Sequence, residues 1–86
     1  MTSLPTRQQV QEALLAAGKT HHEFQENFLD GVRHEQWAMW YSAYILGRLG
    51  DFTTATLLTQ WIMEISDKEK WFKKTAVHIL KKLDSA

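Results

Sequence analysis

Trp37-Ala38-Met39-Trp40-Tyr41-Ser42-Ala43-Tyr44-Ile45-Leu46-Gly47-Arg48-Leu49 decides the fold. At about 100° per residue, Trp37, Trp40, Tyr41, Tyr44 and Arg48 fall on one face of a helix. Ile45 borders that face, Met39, Ala43 and Leu46 lie opposite, and Ala38 and Leu49 lie between. A helix that is apolar nearly all round belongs among neighbours, so this segment reads as the central helix of an all-helical domain. Gly47, Arg48 and Gly50 interrupt it well short of the roughly 20 apolar residues a membrane span needs.

Outward from it, the chain reads as a small four-helix bundle, with helices at about 6–29, 34–49, 54–65 and 67–83. Upstream, Val10, Leu14, Ala17, His21, Phe24 and Phe28 recur at steps of four and three, an unbroken helical stripe. A break at Gly18, with a new start at the Thr20-x-x-Glu23 capping box, would reset the phase. The phase holds, which favours one helix of about 36 Å, long enough to overhang its companions and cover a second subunit. Ser3 or Thr6 can cap it, and Pro5 suits its first turn. Residues 1–5 read as a flexible lead-in.

Asp30-Gly31-Val32-Arg33 is a turn. Gly50 reads as a C′ glycine, with Asp51 or Thr53 as the next N-cap. Leu57, Leu58, Trp61, Ile62 and Ile65 form the stripe of the third helix, whose threonines make its helicity depend on packing. Ser66-Asp67-Lys68-Glu69 has capping-box spacing and predicts the start of the last helix. Phe72, Ala76, Ile79, Leu80 and Leu83 make its core face, while Trp71 and His78 project elsewhere with Lys74 and Lys81.

The 86 residues fit one domain, 1–86, with a thin core margin that four Trp, four Phe and two Tyr offset. Net charge is zero, which gives no general attraction to nucleic acid or anionic membranes. The balance is uneven. Up to Ile65 four basic residues meet seven acidic ones, a balance of −3; from Ser66 onward six lysines meet three acidic residues, a balance of +3. Absence of cysteine excludes disulfides and thiolate chemistry and fits the cytoplasm, as does an N-terminus without signal-peptide character.

Residues His21-His22-Glu23-Phe24-Gln25, Leu29-Asp30-Gly31-Val32 and Glu35-Gln36-Trp37-Ala38-Met39-Trp40-Tyr41-Ser42-Ala43-Tyr44 carry a resemblance. The stretch from about residue 21 to 45 resembles short, mostly uncharacterised bacterial helical proteins and appended modules carrying H-x-x-Y-E, G-V and W-P-x-W-Y-A-x-Y. The W-x-x-W-Y-x-x-Y part is the most specific. Here Ala38 stands where proline is common, Ser42 replaces alanine, and Phe24-Gln25 replaces Tyr-Glu, removing a phenol and a carboxylate. The resemblance implies an all-helical module of a bacterial cytoplasm and brings no activity with it.

Each chemical feature has a bland reading beside it. Trp37, Trp40, Tyr41 and Tyr44 are core, or line a pocket for a flat or cationic ligand, or form a contact surface. Arg48 stacks on those rings, pairs with a carboxylate, or binds an anion. His21, His22, Glu26 and His34 could together hold a metal between helices, but neither Glu-x-x-His nor H-E-x-x-H is present, and a hydrogen-bonded structural histidine is the simpler reading. Ser42 has no histidine partner in sequence and no Gly-rich loop exists, so no catalytic set is assembled and no cofactor is implied. The lysine-rich last helix lacks arginine and sits in an otherwise acidic chain, which argues against nucleic acid.

The expectation is a protein-interaction or accessory module, forming a homodimer or docking on a larger protein. Its contact residues would be Trp71, Lys74 and His78 first, then Trp37, Tyr41, Tyr44 and Arg48. The alternative is a small-molecule or metal-binding bundle using the His/Glu cluster beside the Trp/Tyr face.

Overall fold

The computed structural model describes residues 4–28 and 36–85. Four helices follow in order: α1 Arg7–Phe28, α2 Trp37–Leu49, α3 Ala55–Met63 and α4 Trp71–Ser85. The architecture is the expected all-α four-helix bundle. No helix is long and apolar enough to cross a membrane among the described residues.

α1 runs unbroken through Gly18. Its start is a reciprocal capping box: the Gln9 N–H donates to Thr6 Oγ1 at 3.1 Å, and the Thr6 N–H donates to Gln9 Oε1 at 2.9 Å. Pro5 precedes the cap and is buried, so it belongs neither to the helix nor to a loose lead-in. The rival start at Thr20 does not form. Thr20 Oγ1 instead donates back to the Ala16 carbonyl at 3.0 Å, as a threonine inside a helix does.

α2 ends at Gly50, which takes a positive φ of 91° while its N–H reaches the Leu46 carbonyl at 2.9 Å. α3 is capped by Thr54, whose hydroxyl accepts from the Leu57 N–H at 3.2 Å, not by Asp51 or Thr53.

The start of α4 differs most from expectation. Asp67 Oδ1 accepts from the Glu69 N–H at 3.0 Å, closing a turn two residues long, and Lys70 follows in the left-handed region at φ 54°. A helix cannot propagate through that residue, so α4 begins at Trp71 instead of residue 67. Trp71 Nε1 donates to the Ile65 carbonyl at 2.7 Å and Lys74 pairs with Asp67, so both ends of the connection are held by α4 itself.

The helices form a ring: α1 packs on α2 and α4, and α3 packs on α2 and α4. α2 therefore has two helical neighbours and is not central. Its buried line is Ala38, Ser42 and Ile45, one edge of the aromatic face, while Met39, Ala43 and Gly47 look outward. The reason is volume. Small residues let α2 approach its neighbours closely, whereas a row of indoles would hold them apart. The core gathers Val10, Ala13 and Leu14 of α1, Ile45 of α2, Leu58, Trp61 and Ile62 of α3, and Ala76 and Ile79 of α4.

Candidate functional site

Three regions hold the side chains that chemistry or recognition could use: a ring cluster inside the bundle, a neutral face and a basic groove. The cluster joins α1, α2 and α4. His21 is buried between Trp40 and Tyr41, with ring centroids 5.7 Å from each. Phe24 stacks on Trp40 at 4.8 Å. Trp37 and Trp71, from helices that face each other across the ring, meet edge to face at 5.9 Å. Tyr41 lies against both, at 5.7 Å from Trp37 and 5.6 Å from Trp71, and Trp71 also meets Phe72 at 5.2 Å. Such tilted contacts set positive ring edges against negative faces. Burial holds the Tyr41 phenol above its ordinary pKa, so it stays neutral across the physiological range.

The sequence offered these rings as core, as a pocket or as a contact surface, and in the structure Trp37, Trp40 and Tyr41 pack against one another and their neighbours, as the core reading has it. Trp71 in particular was expected to project into solvent beside Lys74 and His78. It is half-buried instead, because its indole N–H finds the Ile65 carbonyl and its ring finds the cluster. Tyr44 is half-buried further along α2. Arg48 is exposed in the last turn of α2, where its charge complements the helix dipole.

Gly18 is the residue sequence reasoning used only as a possible break. A Cβ there would stand 3.0 Å from the Tyr41 hydroxyl and 3.2 Å from the Phe72 ring. Its lack of a side chain is what lets the rings of α2 and α4 lie against α1. A glycine kept inside an in-phase stripe was the available signal.

The described members of the alternative metal set lie in different surroundings. His21 is enclosed by rings while His22 and Glu26 are exposed, and His34 lies outside the described residues. Among the described residues no group of three or more His, Cys, Asp or Glu is placed to hold a metal. Ser42 is buried, and its hydroxyl shares a 2.8 Å hydrogen bond with Thr59 Oγ1, which ties α2 to α3.

The outer side of α2 and α3 carries the neutral face. Met39, Ala43, Ala55, Thr56 and Thr59 line a groove of about 350 Å³. Met39 is 57% exposed, and Met63, one helical turn beyond Thr59, is 61% exposed. From Gln36 to Met63 the charged residues are Arg48 and Asp51, both near the turn joining the two helices.

The third region is a groove of about 410 Å³ along α4 and the segment before it, with Ile65 and Val77 among its walls and Lys70, Lys73, Lys74, His78 and Lys81 around it. His78 Nε2 meets Glu64 Oε1 at 2.8 Å. That hydrogen bond, with Lys82 nearby, holds the Glu64 carboxyl below its ordinary pKa. The Lys74 contact and the Glu69 N–H do the same for Asp67. Lys74 and His78, chosen from sequence, are thus brought together here, while Trp71 is turned away.

Comparison with known proteins finds no matching family model, no matching curated protein and no matching solved structure.

Proposed function

We propose that this protein is a small helical interaction module that self-associates through the neutral outer face of α2 and α3. The observation that carries the reading is the contrast between exposure and charge on that face. Met39 at 57% exposure lines a groove, Met63 at 61% lies one turn beyond its Thr59, and from Gln36 to Met63 only Arg48 and Asp51 carry charge. A surface meant only for water is normally studded with charges, and contiguous exposed apolar area marks a contact site. Methionine suits such a face because its flexible thioether adapts to the surface it meets. A two-fold contact sets the same patch against itself, and a patch without charges meets its own copy without repulsion. The net charge of zero adds no long-range repulsion between copies. The ring cluster supports the reading from the other side. Its rings are used up within the bundle, so contact falls to exposed residues.

The test is light scattering across a concentration series on the wild-type protein and Met39→Lys. The wild type is expected to gain mass with concentration. Met39→Lys is expected to remain monomeric with an unchanged circular dichroism melt, since Met39 lies outside the core. A wild type that stays monomeric at the highest concentration removes self-association. A variant that associates as the wild type does moves the contact off this face.

A further inference from the structure

The groove on α4 has a composition that the neutral face lacks. Lys73, Lys74, Val77, His78 and Lys81 recur at steps of one, three and four, so they share one side of the helix, and Lys70 extends the row at its start. Two of the polar groups are already answered within the chain, Lys74 by Asp67 and His78 by Glu64. Lys70, Lys73 and Lys81 are exposed, and no carboxylate pairs with them among the described residues. Between them, Ile65 and Val77 are half-buried and apolar. From Lys73 to Lys81 the helix rises about 12 Å, room for about two turns of a second helix.

We propose that this groove binds an acidic amphipathic segment of a partner protein. Its apolar side chains would pack on Ile65 and Val77, and its carboxylates would meet Lys70, Lys73 and Lys81. Apolar anchors in a groove give such a complex its affinity, and the surrounding charges select the partner and speed its approach. Charge complementarity picks out this occupant. A nucleic acid would find no arginine fork in α4 to grip its phosphates. Nor would a base find Trp71 to stack on, since that ring is packed against Trp37, Tyr41 and Phe72. The inference is independent of self-association, because the groove belongs to α4 and its approach and not to the α2/α3 face.

Fluorescence anisotropy tests it, using a labelled synthetic helix of leucines flanked by glutamates and the same peptide with glutamine for every glutamate. A labelled single-stranded DNA serves as the third probe. The glutamate peptide is expected to bind saturably and to weaken as salt rises. The glutamine peptide and the double variant Lys73→Glu/Lys81→Glu are each expected to lose affinity about tenfold or more. Both lysines are exposed, so the double variant is expected to melt as the wild type does, and Met39→Lys is expected to bind the glutamate peptide unchanged. Absence of saturable binding, equal binding of the two peptides, indifference to the lysine reversals, or loss of binding in Met39→Lys would overturn the proposal. Tighter binding of the DNA than of the glutamate peptide would overturn it in favour of nucleic acid.

Discussion

The two halves of α1 meet different kinds of interior. Its N-terminal half, through Val10 and Leu14, joins Ile45, Leu58, Ile62 and Ile79 in a core of fully buried aliphatic side chains. Its C-terminal half, through His21 and Phe24, joins a cluster of half-buried rings from α2 and α4. The lengths of the helices explain the contrast. α1 spans about 33 Å and α3 only about 14 Å at the usual rise per residue. α3, which stands opposite α1 across the ring, is too short to face the whole of it, and where α3 is absent the large area of aromatic side chains covers what aliphatic residues would leave open. A short chain thus holds a long helix by changing the size of its side chains along it.

Four substitutions break or sharpen this contrast. Leu14→Ala removes a side chain enclosed on all sides at the aliphatic end and is expected to cost about 2–5 kcal/mol in urea unfolding. Gly18→Ala probes the junction between the halves. The new methyl meets the Tyr41 hydroxyl and the Phe72 ring, both held by neighbouring rings. Overpacking of about 1–3 kcal/mol outweighs a helix-propensity gain of about 1 kcal/mol, so a net loss is expected. A rise in stability would show that the rings yield. Gly47→Ala is the control, since nothing stands within 4 Å of a Cβ there. Only propensity acts, and a gain of about 0.5–1 kcal/mol is expected in the same assay. The smallest effect belongs to Glu64→Gln. The Glu64 and Asp67 pKa values are lowered by folding, so their pairs stabilise fully above the ordinary carboxylate range, and that contribution is lost as pH falls from that range through the lowered values. Melting temperature measured against pH should therefore fall less steeply on the acid side in the variant than in the wild type.

What could be read beforehand follows from how local its causes are. The in-phase stripe of α1 and Thr6, one of its two candidate caps, depend on residues three and four apart, and the structure has both, with Pro5 before the cap instead of in the first turn. The start of α4 depends on a competition that spacing does not reveal. Ser66-Asp67-Lys68-Glu69 satisfies a capping box on paper, but Asp67 spends its oxygens on the Glu69 N–H and on Lys74. Trp71 was misplaced for a related reason, because nothing in its own helix announces the Ile65 carbonyl. The position of α2 in the ring was obscured because the residues it buries are small. Of the candidate contact residues, Lys74 and His78 could be grouped by helical phase, whereas the charge-free α2/α3 face emerges only when two helices are set side by side.

The ring also has an order of assembly. α1 with α2 and α2 with α3 join neighbours in sequence, but the seam of α1 with α4 brings together Gly18 and Phe72 from distant parts of the chain. Closing so long a loop costs chain entropy that only completed packing returns, and such distant contacts slow the search for the native state. The seam is therefore the last joint expected to close and the first to open. An opening there would uncover Phe72 and, in the same step, withdraw Ile79 from the aliphatic core it shares with Val10 and Leu14.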